Sequence, residues 1–396
     1  MRVLLLSDVY FPRITGVCTA LQTYRAQLAH MGVETHLIAP AYGKGCEEPG
    51  ITRLSSRPVP FDREDHLIRP SLFKTTAIRM ARDFDVIHIH TPFSAHGAGL
   101  AAARKHGLPV LATYHTLFEE YLHLYAKFLP RAFTRTLARR LSRRQCNQMD
   151  GVIVPSTAMA QRLKDYGVSS PLHVLPTGIP VERFTGGDRR RFRASQGISP
   201  ERTVALFLGR MAHEKNLHFL LEAFRQALAE CPDLLLILAG EGPAELEIRA
   251  QAAAWGMNTS VRFLGNMDRV LALPDCLAGA DFFTFASLTE TQGLVLLEAM
   301  AAGLPVVALG EMGTLDILKP ESGAKVPPND ARAFAMAMAE VARNAELRQS
   351  MSEASRAWAS RWSDRSLTQR LADLYQLVGM RGDRPGQPLM ANPLVQ

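Results

Sequence analysis

Short apolar runs alternate with helix-length stretches along most of this 396-residue chain. That alternation restricts it to parallel sheets covered by helices. In the first half the runs fall at residues 3–6, 35–39, 86–90, 110–113, 152–155 and 172–175. In the second they fall at 204–208, 235–239, 261–264, 282–285 and 306–309. A chain of this length exceeds what one ordinary core serves, so two domains of about 150–200 residues are expected. The predicted fold class is α/β, with two doubly wound, Rossmann-like domains facing each other across a cleft, residues 1–185 and 201–362. Between them, 186–200 holds Gly186-Gly187, Asp188, three consecutive arginines and a Gly-Ile-Ser-Pro segment, which reads as a linker. Beyond Met380 the composition turns to Arg, Gly, Pro and Asn without a period, so 381–396 is expected to be a disordered tail.

Hydrophobic and charged fractions of 47% and 21% are those of a globular protein. There is no run of eighteen apolar residues, and the amino terminus enters a strand without a signal-peptide pattern. A cytoplasmic location is expected. The five cysteines, Cys18, Cys46, Cys146, Cys231 and Cys276, show no paired spacing, which argues for reduced thiols and against a zinc site. His88 and His90 form a His-x-His pair but have no third ligand at a useful spacing, so no metal and no cofactor are expected.

The net charge of +7 implies an acidic partner, and the excess is local. Arg131, Arg135, Arg139, Arg140, Arg143 and Arg144 occupy one stretch without an acid, interleaved with Phe133, Leu137 and Leu141. On a helix the apolar residues share one sector, a pattern that can lie on an anionic bilayer. The alternative is a domain helix whose apolar side packs inward. Leu137 and Leu141 are assigned to inward packing and the arginines to a membrane surface, on the inner face of the cell membrane. Nucleic acid is not expected, because no reader motif accompanies the charge.

The chemistry concentrates in the second half. Arg210 and Lys215 follow the run at 204–208 and stand before an amphipathic helix, at the carboxyl end of a parallel strand, where such sheets bind ligands. Cations at a helix amino terminus oppose its dipole, so this placement asks for an anion. Gly293 opens the helix from Leu294, and the first N–H groups there, from Leu294 and Val295, suit a phosphate oxygen. Glu290 stands before that helix and Glu298 more than one turn inside it, so two carboxylates can take hydroxyls at opposite ends of one elongated ligand. Two cations for a diphosphate and two carboxylates for hydroxyls describe a nucleotide-sugar pocket. In the first half, Gly16 lacks a Cβ where backbone can approach a diphosphate.

Glu290-Thr-Gln-Gly-Leu-Val-Leu-Leu-Glu298, preceded by Gly209-Arg210…Glu214-Lys215-Asn216, resembles the retaining glycosyltransferases of the GT-B fold, family four. So do Ser7 through Val17, His88-Ile-His90-Thr91 and Thr113-Tyr114-His115-Thr116 in the first half, and the likeness runs from Arg2 to about Val378. Thr289 through Val295 and Tyr114 through Tyr121 resemble the branch of bacterial diacylglycerol glucosyltransferases and related mannosyltransferases. The resemblance implies that Glu298 binds the nucleotide ribose and that Glu290 faces the donor sugar. It implies that His115 contacts the transferred sugar and that residues 363–380 form a helix returning to the first domain. Gly240, Glu241 and Asn266 resemble base-holding loops, although generic turns explain them equally, and His90 is read as an acceptor-side residue. Gln292 departs from relatives that carry an aromatic residue there. No carboxylate pair flanks the expected sugar C1, in keeping with the family's same-face mechanism, in which the leaving phosphate takes the acceptor proton.

The expected reaction moves a hexose, preferably from UDP-glucose, to diacylglycerol or a glycosylated diacylglycerol. GDP-mannose with a lipid or polysaccharide acceptor is the alternative. A non-hydrolysing nucleotide-sugar epimerase and a non-catalytic basic membrane-binding protein stay open as other classes.

Overall fold

The computed structural model describes residues 1–13, 15–43, 48–59, 62–115, 117 and 131–380. The expected tail at 381–396, Thr116, and the stretch 118–121 that carries part of the branch resemblance lie outside the described residues. The chain forms two compact units, Met1–Gly178 together with the chain from Asp364, and Ile179–Ser363. Among the described residues, no helix is long and apolar enough to cross a membrane.

In the first unit, strands β1 (Arg2–Leu6), β2 (Glu34–Pro40), β3 (Ile51–Leu54), β6 (Val86–Ile89), β7 (Val110–Thr113), β8 (Gly151–Val154) and β9 (Leu172–Val174) make a seven-stranded sheet ordered β3-β2-β1-β6-β7-β8-β9. A separate hairpin, β4 (Ser56–Val59) with β5 (Asp62–Ile68), interrupts the alternation. Every pairing in the large sheet is parallel. Its helices are α1 (Gly16–His30), α2 (Pro70–Ala81), α3 (Ser94–His106), α4 (Arg131–Cys146) and α5 (Thr157–Asp165). Thr15 and Ser156 cap α1 and α5 through their hydroxyls, taking up N–H groups that a helix start leaves unpaired. The helix Asp364–Gly379 belongs to this unit. Its Leu371 and Tyr375 are fully buried in the core with Leu5, Leu21 and Tyr24, and Gln27 donates to the Asp364 carboxylate at 2.8 Å.

The second unit repeats the plan. Its strands β10 (Val204–Leu208), β11 (Leu235–Ala239), β12 (Val261–Gly265), β13 (Phe282–Phe285), β14 (Val306–Ala308) and β15 (Ala324–Lys325) pair in parallel in the order β12-β11-β10-β13-β14-β15. All of β10, β11 and β13 is buried, as expected of strands covered on both faces. Helices α6 (Arg189–Ser195), α7 (Leu217–Glu230), α8 (Glu245–Ala254), α9 (Ala272–Gly279), α10 (Leu294–Ala301), α11 (Ala331–Arg343) and α12 (Ala345–Ala359) complete the unit. In both sheets the chain runs outward one way from the first strand and then reverses. Two crevices result, at β1/β6 and at β10/β13, each at the carboxyl ends of its strands.

The stretch 186–200, expected as a linker, is part of the second unit, which begins at Ile179. Asp188 caps α6, and Arg193 is buried rather than solvated. It donates to the carbonyls of Gly279 (2.9 Å), Ser199 (2.9 Å), Pro200 (3.0 Å) and Arg202 (2.9 Å), and to the Asp281 carboxylate at 2.7 Å. Asp281 also accepts from the Val204 N–H, so this arginine fastens the start of β10. Removing one partner of a buried pair costs about 3–5 kcal/mol. Arg193→Ala is expected to lose that much in urea unfolding, and a loss below about 1 kcal/mol would return the segment to the status of a linker.

Candidate active site

At the β10/β13 crevice, the loop after β10 delivers two cations and the loop after β13 a carboxylate. Gly209 and Arg210 follow β10, and the next turn, His213–Lys215, places Lys215 ahead of α7. Asn216 adopts the left-handed conformation at φ 56° and donates to the Ala286 carbonyl at 3.2 Å, while the Ser287 hydroxyl donates to the Glu214 carbonyl at 3.2 Å. The two loops are thereby stitched together. Lys215 and Glu290 meet in a half-buried, hydrogen-bonded ion pair. Glu290 is held from behind by Gly313, whose N–H donates to the Glu290 carbonyl at 2.8 Å, and a Cβ on Gly313 would lie 2.0 Å from the Thr291 carbonyl oxygen. Nothing in the sequence reading singled out Gly313. Arg210 is exposed and, among the described residues, has no acidic partner.

Gly293 caps α10 in the left-handed region, φ 97°, and Leu294 and Val295 supply the first N–H groups of that helix. Glu298, one turn on, is buried. Arg269 donates to its Oε1, whereas Oε2 is buried without a hydrogen-bond partner. Burial raises the Glu298 pKa, and the Arg269 charge opposes that shift. Arg269 was missed by the sequence reading, because no spacing ties it to a glutamate 29 residues later.

The base-loop candidates also converge. Gly240 and Gly242 are required by close approach, since a Cβ on either would lie 2.0 Å from the Gly209 oxygen or 2.3 Å from the Met211 oxygen. Their packing fixes the backbone on either side of Arg210. The Glu241 carboxylate accepts from the Asn266 amide at 2.9 Å, so these two act as one polar unit.

In the first unit the β1/β6 crevice collects histidines. His88 is buried and satisfied on both ring nitrogens, by Tyr375 at 2.6 Å and Thr113 at 2.7 Å, which fits the packing role expected for it. His90 Nδ1 lies 3.0 Å from His115 Nε2, and His90 Nε2 is buried with no partner. His90 is thus covered between His88 and His115, and of the three only His115 is partly exposed. Burial pushes His88 down to about 3, His115 down to about 4 and His90 well below its usual value. Beside them Asp8, which the sequence reading did not assign, accepts from Thr91 at 2.7 Å and from the Ala95 N–H at 3.1 Å, near the start of α3. Gly16 begins α1, and a Cβ there would meet nothing within 4 Å.

Helix α4 corrects one expectation. Its buried side is small, made of Thr134, Ala138, Ser142 and Cys146, with Ser142 bonded to Tyr114 at 2.8 Å. Phe133, Leu137 and Leu141 are exposed at 55%, 37% and 45%, so Leu137 and Leu141 do not pack inward. A helix filled with alanine and hydroxyl residues on its inner face sits close to its neighbours, and the leucines, about 100° around the helix, stay outside. Arg135, Arg139, Arg140, Arg143 and Arg144 are exposed, with Arg139 lying over the Tyr166 ring at 5.6 Å.

Residues 188–358 match the family described as "Glycosyl transferases group 1", and residues 14–183 match "Glycosyltransferase Family 4". The alpha-monoglucosyldiacylglycerol synthase of Streptococcus pneumoniae is 32% identical over 321 residues, covering 78% of this chain and 71% of that protein. The chain is a GT-B glycosyltransferase of family four. The enzyme of the same name from Acholeplasma laidlawii is 31% identical over 324 residues, 78% of this chain and 80% of that protein. The crystal structure of Anabaena HepE in complex with UDP and glucose matches the fold with a TM-score of 0.77 at 19% identity, covering 95% of this chain and all of that one. The glycosyltransferase is a hexosyltransferase, and the crevices described above are its candidate donor and acceptor regions.

The histidines give this glycosyltransferase a pH dependence of stability. A base whose pKa falls on folding binds fewer protons folded than unfolded, so stability is lost as pH drops below about 6.5. Asp8 acts the other way, because burial raises it to about 6 and its folded form takes up a proton early. Glu298, also raised by burial, joins Asp8, but these three histidines together with His36, His96 and His173, likewise lowered by burial, outweigh the two carboxyls. The free energy of urea unfolding is expected to fall between pH 6.5 and 4.5, and His88→Asn to flatten that slope by up to about 1.4 kcal/mol per pH unit. An unchanged slope would mean that His88 titrates alike in both states.

Proposed function

We propose that this glycosyltransferase takes UDP-glucose as donor and transfers glucose, with retention, to diacylglycerol or a glycosylated diacylglycerol at an anionic membrane surface. The donor reading rests on charge. Arg210 and Lys215 against Glu290 leave one net positive charge for a diphosphate, supplemented by the positive end of α10 and the N–H groups of Leu294 and Val295. Glu290, already positioned by Lys215 and Gly313, accepts from the sugar hydroxyls and stabilises positive charge that develops on the ring in the transition state. The unpartnered Oε2 of Glu298 is a ready acceptor for a ribose hydroxyl. Gly16, whose missing side chain no protein neighbour demands, leaves backbone open to the diphosphate. Neutral His115 contacts the transferred sugar, oriented by His90. UDP and glucose are preferred because the Anabaena protein was solved with them and the Streptococcus and Acholeplasma relatives are named for a glucosyl lipid.

The test is transfer from UDP-glucose or GDP-mannose to diacylglycerol in mixed vesicles. UDP-glucose is expected to support product and GDP-mannose to give little, and the reverse would install the mannosyltransferase alternative. Glu290→Gln is expected to lower turnover about 100-fold or more while UDP binding holds, since Arg210 and Lys215 are retained. Lys215→Ala is expected to damage both. Wild-type turnover in Glu290→Gln would remove this residue from the mechanism.

The observation that carries the acceptor reading is the outward stripe of Phe133, Leu137 and Leu141 with Arg140 and Arg144 alongside it. Apolar residues entering the headgroup region next to arginines are what an interfacial helix presents. Replacing Leu137 and Leu141 by serine and Arg140 and Arg144 by glutamine is expected to reduce sedimentation with phosphatidylglycerol vesicles at least tenfold and to spare hydrolysis of the donor. Unchanged sedimentation would make α4 an ordinary surface helix.

A further inference from the structure

Beside the turn that carries Lys215, the second unit gathers three side chains that metals favour. His213 from the turn before α7, His218 in the first turn of α7 and Glu247 in α8 place one ligand atom each within 4.8 Å of one another. His218 Nε2 lies 3.0 Å from Glu247 Oε1, and His213 Nδ1 lies 3.9 Å from Glu247 Oε2. Two imidazole nitrogens therefore converge on one carboxylate.

The surroundings favour a cation at the convergence. Gln251, one turn after Glu247, sets its Oε1 against His218 Nδ1, so this ring has an acceptor at each nitrogen. Such a ring can take a metal on Nε2 with Nδ1–H donating to the amide oxygen, the arrangement that usually orients metal-bound imidazoles. Glu247 has no competing partner of fixed charge. Neighbouring Glu245 takes Arg249 at 2.8 Å, and among the described residues Glu247 is paired by the two histidines alone.

We propose that His213, His218 and Glu247 form a binding site for a divalent transition-metal ion of the zinc class. Imidazole and carboxylate bonds of about 2.0–2.2 Å fit once the exposed His213 and Glu247 side chains rotate in toward the half-buried His218 by about 1 Å, and three protein ligands leave a fourth position for water. His213 shares its turn with Lys215, so the ion clamps the turn that carries the donor-site lysine onto α8. The site is distinct from the donor crevice and does not depend on the sugar or acceptor assigned above. The ligands come from three elements with no regular spacing, which is why the sequence did not show them.

The experiment titrates chelator-treated protein with Co²⁺ and Zn²⁺. One ion per chain is expected, with visible Co²⁺ bands lacking a thiolate charge-transfer band, and the melting temperature raised by about 5–10 °C at free Zn²⁺ a hundredfold above Kd. Amide exchange in residues 213–218 should slow on binding. His213→Ala and His218→Ala should each weaken binding at least tenfold while the apo melting temperature stays near wild type. Absence of stoichiometric binding, binding that survives both substitutions together, or a thiolate band would overturn the proposal.

Discussion

The reversal of strand order beside the central strand of each sheet is the constraint on which the rest depends. Because β10 is flanked by β11 on one side and β13 on the other, the loop leaving β10 and the loop leaving β13 diverge around a gap that no helix fills. Lys215 reaches the gap from one loop and Glu290 from the other. Asn216 and Ser287 cross-link the loops that carry this ion pair. A half-buried pair of this kind gains little by itself, since desolvation offsets the Coulomb attraction. Its value is position. Each partner holds the other's head group at the mouth of α10, where a diphosphate and a sugar ring would need a cation and a carboxylate.

The same geometry governs which polar groups remain unsatisfied. Parallel sheets bury their strands on both faces, so groups at the strand ends enter a low-dielectric region and must find partners there. His88 does so fully. His90 and Glu298 do not, each keeping one buried atom without a protein partner. His90 directly follows β6, and Glu298 lies in the helix that follows β13. A fold selected for stability alone would pair or replace such atoms, because each costs about 1–3 kcal/mol.

Most of this arrangement was legible because its signals are local. The strands β1, β10, β11 and β13 announce themselves as apolar runs, and Arg210, Lys215, Glu290 and Glu298 stand at strand ends and helix starts that the runs define. What was hidden depends on contacts between distant segments. The hairpin β4–β5 is charged along Asp62–Ile68 and carries no apolar period. Segment 186–200 looks like a linker because its arginines are polar in sequence, yet Arg193 is buried by carbonyls from two other segments. Arg269 and Gly313 matter only through Glu298 and Glu290, which lie far along the chain.

Helix α4 shows why residue type alone misassigns a face. Leucines on a helix are ordinarily its inward side, and Leu137 and Leu141 invite that reading. The inward face is decided instead by what the neighbours can accept. Tyr114 already fills the space above β7 and offers a hydroxyl, so the face that fits is the one bearing Ser142, Ala138 and Thr134. Rotating the helix to bury the leucines would press them against Tyr114 and leave its hydroxyl and that of Ser142 without each other. Leaving three large apolar side chains about half exposed forfeits roughly half of the ~1.5–3 kcal/mol that full burial of each would give. The fold accepts that loss on a helix whose exposed surface also carries Arg135, Arg139, Arg140, Arg143 and Arg144, which is the combination the acceptor proposal rests on.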